Sequence, residues 1–339
     1  MSTRDPRLLL QAAPLLKQQL TTRRAMLDVL IALLPATLAG LWFFGLSGLL
    51  VLSASILGSV VTEWLFTPAE TRREHLLDGS GFLTGLLLGL TLPSSLPLWM
   101  AFVGGAVGIG LGKLIWGGLG QNLFNPSLVG RAFLQATFPN AMTTWTPAGS
   151  PGDFFHLHAS NLAMPFMHVE YDGVSSATPL GLMKFEYQDT SLSNLLIGNI
   201  SGCIGETSGL LLLLGGIYML WRRVIDWRIP ASILLSVAVF SSILYLVGPD
   251  RYPGPLFSIF AGSLLIGAFY MATDPVSSPI TPRGAWIFGI GIGVLVVLIR
   301  IFGGFPEGVM YAILLMNAAT PLIDRYTQPR VFGRGSVGR

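Results

Sequence analysis

The sequence predicts an all-α polytopic membrane protein with about ten transmembrane helices in two inverted five-helix repeats, some of them broken, and a long outer loop. Of its 339 residues, 52% are hydrophobic and only 11% are charged. A soluble domain usually carries about 25% charged residues, and a helix that spans a bilayer needs about 20 apolar ones. Because the apolar residues also fall in long blocks, the composition excludes a soluble enzyme, a disordered protein and a nucleic-acid-binding protein.

Ten apolar runs are the predicted spans. They cover residues 25–44, 47–66, 80–92, 97–116, 121–137, 194–220, 229–248, 256–273, 284–302 and 308–322. The third and fifth runs are short and rich in glycine, and we expect the fifth to be broken. The sixth is long and carries Asn199, Ser201 and Glu206, so we expect an interruption there, where polar side chains line protein rather than lipid.

The positions of the basic residues predict the orientation of these spans. Sixteen of the 20 Lys and Arg residues lie in the segments that ten spans place on one side, whereas the other side holds only Lys184 and Arg251. Cytoplasmic loops carry the excess of basic residues, so both termini should be cytoplasmic. In a cell inner membrane, the long loop would then be periplasmic.

This layout divides the chain into five predicted segments. They are a cytoplasmic N-terminal segment (1–24), a first five-helix repeat (25–137), a periplasmic loop (138–190), a second five-helix repeat (191–322) and a cytoplasmic tail (323–339).

An ordered pattern common to both halves predicts the internal repeat. In each half, a Gly-containing apolar run ends at a Pro/Ser loop, and a Gly-rich span with a basic residue near its end follows. These basic residues are Lys113 and Arg300, and each precedes a Gly–Gly turn, at 117–118 and 303–304. An odd number of spans per half requires inverted halves, which place a working site near the membrane midplane. The alternative is that Gly-rich helices resemble each other by composition.

The sharpest local signal lies in the outer loop, where the chain reads DGVSSATPL from Asp172 to Leu180. A Thr followed by Pro suits a helix start, so Thr178 is predicted as an N-cap with Pro179 in the first turn. A phosphate on the Thr178 hydroxyl would lie where free N–H groups favour an anion. From these residues alone, an ordinary helix cap is the simpler interpretation.

The same segment fits the pattern Asp-x-x-Ser/Thr-x-Ala-Thr and resembles the flavinylation motif of respiratory flavoproteins. The chain as a whole resembles the family that comprises the D subunit of Rnf ion-translocating oxidoreductases and the B subunit of sodium-pumping NADH:quinone oxidoreductases. The stretches that carry this resemblance are DGSGFLTGLLLGLTLP, GGLGQNLFNPSLVGRAFL, DGVSSATPL, MATDPVSSPITPRG and LLMNAATPLIDRY. The short basic N-terminal segment favours the D subunit.

The resemblance implies a covalent cofactor in the outer loop. An FAD-dependent transferase would attach FMN to Thr178 through a phosphoester, and it would read Asp172, Ser175, Ser176 and Ala177 as the motif. Asp172 beside a glycine is equally suited to form a turn, and Ser176 stands where glycine is commoner in the motif.

The resemblance also implies a function and a set of partners. The chain would be a flavin-carrying subunit of a translocase that couples electron transfer between ferredoxin and NAD to translocation of Na+ or H+. Its partners would be the A, B, C, E and G subunits of an Rnf complex, the flavin transferase and membrane lipid.

A second, non-covalent flavin such as riboflavin is expected near the fifth span. Asn122, Phe124, Asn125 and Arg131 are the candidates for its binding. Arg131 is costly against lipid, so it should face the bundle interior or a bound group. Helix capping and interhelical hydrogen bonds are the alternative role for these residues.

Ionisable residues within the spans are candidates for an ion path. Glu63 and Glu206 are the strongest, because a carboxylate within a span usually has a function. Asp28, Lys113 and Arg300 lie near span ends, where we expect them to snorkel or to lie in the interface.

No metal site is predicted. The spacing of His156 and His158 is typical of exposed loop histidines, and Cys203 is predicted to be a small buried apolar residue. Asp274, which precedes a proline at a span end, is predicted to form a turn or a cap.

Two functional alternatives remain. One is the B subunit of a sodium-pumping NADH:quinone oxidoreductase, and the other is a solute channel of the inverted-repeat type without a redox role. A channel has no use for the DGVSSATPL motif, so the outer loop discriminates between a channel and a redox protein.

Overall fold

The structure is a computed structural model, and it describes residues 21–148, 154–155, 157–165, 176–249 and 251–329. All regular secondary structure within these ranges is helical. The predicted all-α class is therefore confirmed for the part of the chain that the structure describes.

The first half of the chain forms five helices before the long loop. They are α1 (Thr22–Phe66), α2 (Arg72–Leu77), α3 (Ser80–Leu90), α4 (Leu98–Ile109) and α5 (Pro126–Thr137). Helix α4 continues into a π-helical turn, Gly110–Leu114.

Short elements connect the halves, and the second half contains further broken helices. The loop holds α6 (Pro139–Thr143), a 3-10 turn (Ala159–Leu162), α7 (Pro179–Gly181) and a π turn (Leu182–Glu186). The second half holds α8 (Leu192–Ile197), a 3-10 turn (Ile204–Glu206), α9 (Gly209–Trp221), α10 (Arg228–Val247), α11 (Pro255–Phe260), α12 (Leu264–Ile266) with a π turn (Gly267–Met271), α13 (Pro282–Phe302) and α14 (Val309–Thr327).

Three of the described helices are long and apolar enough to cross a membrane. They are α1, α10 and α13, and only about a third of their most apolar windows is buried inside the protein. Large apolar side chains such as Leu38 and Trp42 instead point outward. Such faces are stable only in lipid or against another protein, so the chain is a membrane protein.

Helix α1 doubles back at Gly45. At 45 residues a straight helix would measure roughly 68 Å, about twice the hydrocarbon core. Gly45 has a φ of 56° and a ψ of −142°, which are not helical. The N–H of the next residue, Leu46, donates to the Phe154 carbonyl at 2.7 Å. Met26, near the start of α1, lies beside Gly79, which comes after α1 and α2 in the chain. The end of α1 has therefore returned toward the end of the bundle where α1 begins. The two arms of α1 correspond to the predicted spans 25–44 and 47–66.

The predicted interruption of the sixth span is confirmed. Helix α8 ends at Gly198, which has a φ of 107°, and α9 begins only at Gly209. The non-helical residues between them carry Cys203 and the 3-10 turn that holds Glu206.

The eighth predicted span, residues 256–273, contains a break that its apolar sequence did not predict. The chain breaks between α11 and α12 at Gly262, which has a φ of 70°. The Arg300 guanidinium donates to the freed carbonyls of Ser258 at 2.6 Å and Ala261 at 2.9 Å. Arg300 therefore does not snorkel, because its charge satisfies the broken end of α11.

Small residues allow two helix pairs to pack closely. Helix α1 packs on α4, where a Cβ at Gly105 would overlap the Ser55 carbonyl oxygen. Helix α10 packs on α13, where a Cβ at Gly289 would overlap the Ser232 hydroxyl. Glycine and serine are the residues that let membrane helices approach.

The connections gather at two ends of the helix bundle. At what we call the amino end, Arg222 after α9 pairs with Asp28 near the start of α1, at 3.1 Å. At the opposite end, the loop end, the Ser160 hydroxyl donates to the Ser95 carbonyl at 2.7 Å. The break of α1 at Gly45 lies at the loop end as well, because Phe154 binds there.

Candidate functional site

Thr178 caps the short helix α7, as predicted. Its hydroxyl accepts a hydrogen bond from the Gly181 N–H at 3.1 Å, and Pro179 occupies the first turn. The backbone of Thr178 is extended, with a φ of −68° and a ψ of 156°, because the following proline excludes the helical region. Only 4% of Thr178 is exposed, so the residue is fixed within the loop end.

The residues before Thr178 attach the motif to two other segments. The Ser176 N–H donates to the Trp145 carbonyl at 3.0 Å, and its hydroxyl bonds to the Ser201 hydroxyl at 2.7 Å. Ser201 belongs to the non-helical stretch that interrupts the sixth span. Ala177 is exposed. Asp172 and Ser175 lie outside the described residues, so their predicted roles stay predictions.

A second group of predicted residues lines a pocket at the amino end. The pocket has a volume of about 800 Å³ including its open mouth, and Asn122, Asn125, Ser80 and Lys113 contribute its polar wall. Apolar side chains such as Leu83 form the rest. The Asn122 side-chain oxygen is buried and has no hydrogen-bond partner among the described residues. An N–H donor in the pocket would satisfy it.

Two polar residues that line this pocket, Asn125 and Asp274, also have structural roles. Asn125 caps α5 by accepting from the Ser127 N–H at 3.0 Å, and its amide donates to the Met271 carbonyl at 3.0 Å. Asp274 accepts from the Ser277 hydroxyl at 3.0 Å within its own turn, as predicted. Phe124 contributes only its carbonyl, which accepts from Asn122 at 3.2 Å.

Lys113 and Glu63 form a buried ion pair beside this pocket. Each is only 1% exposed, and the Lys113 ammonium also donates to the Ser80 hydroxyl at 2.6 Å. Ser80 in turn donates to Asp78 at 2.5 Å. The expectation that Lys113 snorkels is wrong, because its charge is neutralised inside the protein rather than carried to water.

Arg131 faces the bundle interior, as expected, but it lies apart from the residues that line the asparagine pocket. It is 5% exposed and pairs with Glu307 at 2.7 Å. The same guanidinium nitrogen lies 3.6 Å from the Cys203 sulfur. The structure therefore does not bring Arg131 together with Asn122 and Asn125, and its predicted contact with a second flavin stays a prediction.

Glu307 is the member of this group that sequence reasoning missed. It lies in the loop between α13 and α14, and it brings its carboxylate to Cys203 and Glu206. The three ligand atoms all lie within 4.8 Å of one another. One carboxylate oxygen of Glu206 and one of Glu307 have no partner among the described residues. Cys203 is fully buried, as predicted.

Two cations outside the spanning segments have perturbed pKa values. The hydrogen bond from Arg222 to Asp28 and the charge of that carboxylate raise the pKa of Arg222 above its ordinary value. Asp28 is therefore held in an ion pair at the amino end. Burial lowers the pKa of Lys184, which donates to the Gly303 carbonyl at the loop end.

The sequence of this chain matches one family over nearly its whole length. Residues 9–333 match the NQR2, RnfD, RnfE family. The chain belongs to this family. The resemblance that the sequence motifs predicted is thereby confirmed.

Individual relatives align with the chain from end to end. The D subunit of the ion-translocating oxidoreductase complex of Yersinia enterocolitica is 39% identical, over 95% of this chain and 97% of the relative. The D subunit of the proton-translocating ferredoxin:NAD(+) oxidoreductase complex of Clostridium ljungdahlii is also 39% identical, over 96% of each. The D subunit of the Na(+)-translocating ferredoxin:NAD(+) oxidoreductase complex of Acetobacterium woodii is 38% identical, over 96% and 95%.

Proposed function

We propose that this chain is the flavin-carrying membrane subunit of an oxidoreductase complex that couples electron transfer between ferredoxin and NAD to translocation of Na+ or H+. The family match over residues 9–333 carries this proposal. The relatives from Clostridium ljungdahlii and Acetobacterium woodii are named for that reaction, and each is the D subunit of its complex. These names favour the D subunit over the B subunit of a quinone reductase. They equally favour a translocase component over a solute channel.

Thr178 is the proposed anchor of a covalent FMN. The transferase would form a bond between the Thr178 oxygen and the FMN phosphorus and would break the pyrophosphate of FAD, with AMP as the leaving group. An ester oxygen still accepts the hydrogen bond from the Gly181 N–H, so the cap survives attachment. When bound, the flavin supplies one- or two-electron redox chemistry. The contacts of Ser176 with Trp145 and Ser201 hold Thr178, the anchor of the flavin, in place.

The burial of Thr178 adds a condition on the attachment. A transferase cannot reach the hydroxyl of a residue that is only 4% exposed in the packed loop, so modification should precede the final packing of this segment. The exposed Ala177 beside it is consistent with a motif that is read from outside.

The pocket at the amino end is the proposed site of a second, non-covalent flavin. The unpartnered Asn122 oxygen would accept from the ring N–H of an isoalloxazine, while Leu83 and other apolar side chains would cover the ring. Lys113 and Ser80 would face its polar edge.

The two inverted five-helix repeats are part of the proposal. The packing of α1 on α4 matches that of α10 on α13, and α4 packs on α5 as α13 packs on α14. The connections that ten spans assign to one side also meet at one end of the bundle. This arrangement supports cytoplasmic termini at the amino end and a periplasmic Thr178 at the loop end, in a cell inner membrane. The A, B, C, E and G subunits of an Rnf complex are the proposed partners.

The covalent flavin can be tested on a denaturing gel. We would express the chain with its flavin transferase and compare Thr178→Val with Thr143→Val, which changes an exposed threonine of the same loop. Flavin fluorescence should follow the wild-type and Thr143→Val bands and vanish for Thr178→Val. A dark wild-type band, with an active transferase shown on a control substrate, would overturn the proposed cofactor.

A further inference from the structure

We propose that Glu206 and Glu307 bind one monovalent cation, a proton or Na+, between their carboxylates at the loop end of the bundle. The inference rests on the proposed function, because it identifies a site where the translocated ion would be held. Glu206 was a candidate for the ion path from the sequence. Glu307 and the geometry of the pair come from the structure.

The geometry of the pair leaves oxygen atoms that need a partner. The Cys203 sulfur and one carboxylate oxygen from each glutamate lie within 4.8 Å of one another. Glu206 is only 5% exposed, yet its Oε1 atom has no hydrogen-bond partner in the described part of the chain, and the Oε1 atom of Glu307 has none either. Two buried carboxylates at this separation repel each other, and a proton or a cation between them relieves that repulsion.

The surrounding charges permit exchange of the bound cation. Arg131 from α5 binds Glu307 and Cys203, and Arg300 from α13 interacts electrostatically with both glutamates while its guanidinium caps α11. The two guanidiniums balance the two carboxylates, so an added cation is held weakly. An ion that is transported must bind well enough to enter and weakly enough to leave.

A cavity lies beside Glu307 at the loop end. It has a volume of about 460 Å³ including its open mouth, and Arg131, Glu307 and Trp145 are among its lining residues. The Trp145 carbonyl accepts from the Ser176 N–H, and the Ser176 hydroxyl bonds to Ser201, in the same stretch as Glu206. The Thr178 motif is thereby hydrogen-bonded to the non-helical stretch that carries Glu206. Negative charge added at that motif would raise the affinity of the pair for a cation.

The site can be tested by infrared difference spectroscopy on the whole purified complex. One arm adds Na+ at constant pH, and the other steps the pH without Na+. We expect a carboxyl signal in the wild type that Glu206→Gln abolishes and that Glu186→Gln, an exposed carboxylate at the same end, retains. A signal that responds to Na+ identifies Na+ as the ligand, whereas a signal that responds to pH alone identifies a proton.

Additional variants separate loss of the site from loss of the fold. Glu206→Asp keeps the charge but moves its oxygens, so its signal should persist with an affinity weaker on the order of tenfold. A wild-type complex without any carboxyl response would overturn the inference, and so would an unchanged signal in Glu206→Gln.

The same experiment keeps the inference distinct from the flavin proposal. In Thr178→Val the cation response should remain, because the carboxylates do not depend on the covalent flavin for their contacts. If the wild-type band is fluorescent and the carboxyl response is absent, the cation site is wrong and the flavin proposal stands. If the band is dark and the carboxyl response is present, the flavin proposal is wrong and the cation site stands.

Discussion

Two groups of buried charges, one at each end of the bundle, differ in whether a buried carboxylate oxygen lacks a hydrogen-bond partner among the described residues. At the amino end, the Lys113 ammonium binds both Glu63 and Ser80, and the side chains of Lys113 and Glu63 are each only 1% exposed. At the loop end, Glu206 and Glu307 each keep one oxygen without a partner among the described residues, and Glu307 lines a cavity. A closed pair of this kind holds helices together, whereas an open pair can exchange a small cation.

The largest effect is expected when the closed pair is broken. Lys113→Met would leave Glu63 buried without a counter-charge and should cost about 3–5 kcal/mol of unfolding free energy. Thermal or denaturant unfolding of the purified complex measures the loss. The double variant Lys113→Met/Glu63→Gln should recover most of it, since no buried charge is then stranded. Equal instability of single and double variants would show that packing, not charge, dominates this site.

Loss of Glu307 should have a smaller effect on stability. Glu307→Gln removes the ionic partner of Arg131 but retains a hydrogen-bond acceptor of the same size, and the cavity admits water to the guanidinium. We expect a cost of about 1–3 kcal/mol in the same unfolding assay. A cost equal to that of Lys113→Met would contradict the view that the loop-end pair is open.

Loss of the Glu206 charge should leave stability almost unchanged. Glu206→Gln removes a buried charge that has no ion-pair contact within hydrogen-bonding distance among the described residues, so the unfolding free energy should change by about 0.5 kcal/mol or less. Ion uptake into vesicles that contain the complex should nevertheless fall sharply, while the covalent flavin remains on the gel. Normal ion uptake by this variant would remove Glu206 from the ion path.

The smallest effect is expected at an exposed pair. Arg228 and Asp226 lie 3.1 Å apart, with a third or more of each side chain in solvent. Arg228→Ala should cost less than about 1 kcal/mol, and the loss should shrink as salt is added. This variant calibrates the unfolding assay against which the buried pairs are compared.

Local sequence chemistry was sufficient to predict several features of the fold. The Thr178–Pro179 pair predicted the cap of α7, since both the acceptor and the restricted backbone are encoded in adjacent residues. The break in the sixth span was predicted because polar residues interrupt its apolar run. Arg131 was expected inside the bundle because an arginine against lipid is costly.

The remaining features depend on contacts between residues distant in sequence. The break at Gly262 lies in an apolar run that reads as one span, and it persists because Arg300 satisfies the freed carbonyls. Lys113 lies near the end of its helix, where snorkelling is usual, but Glu63 from α1 meets it inside. Glu307 follows a proline in a short loop and resembles a surface residue. The signal that could have identified Glu307 was the need of a buried Arg131 for a counter-charge.

The measurement that tests the central claim most directly is mass spectrometry of the peptide that contains Thr178, taken from the complex purified with its native partners. The proposed function predicts one FMN joined to Thr178 through a phosphoester, and an unmodified peptide from the Thr178→Val variant. An unmodified wild-type peptide, recovered from a complex whose transferase has modified a control protein, would contradict the assignment of this chain as a covalent flavin carrier.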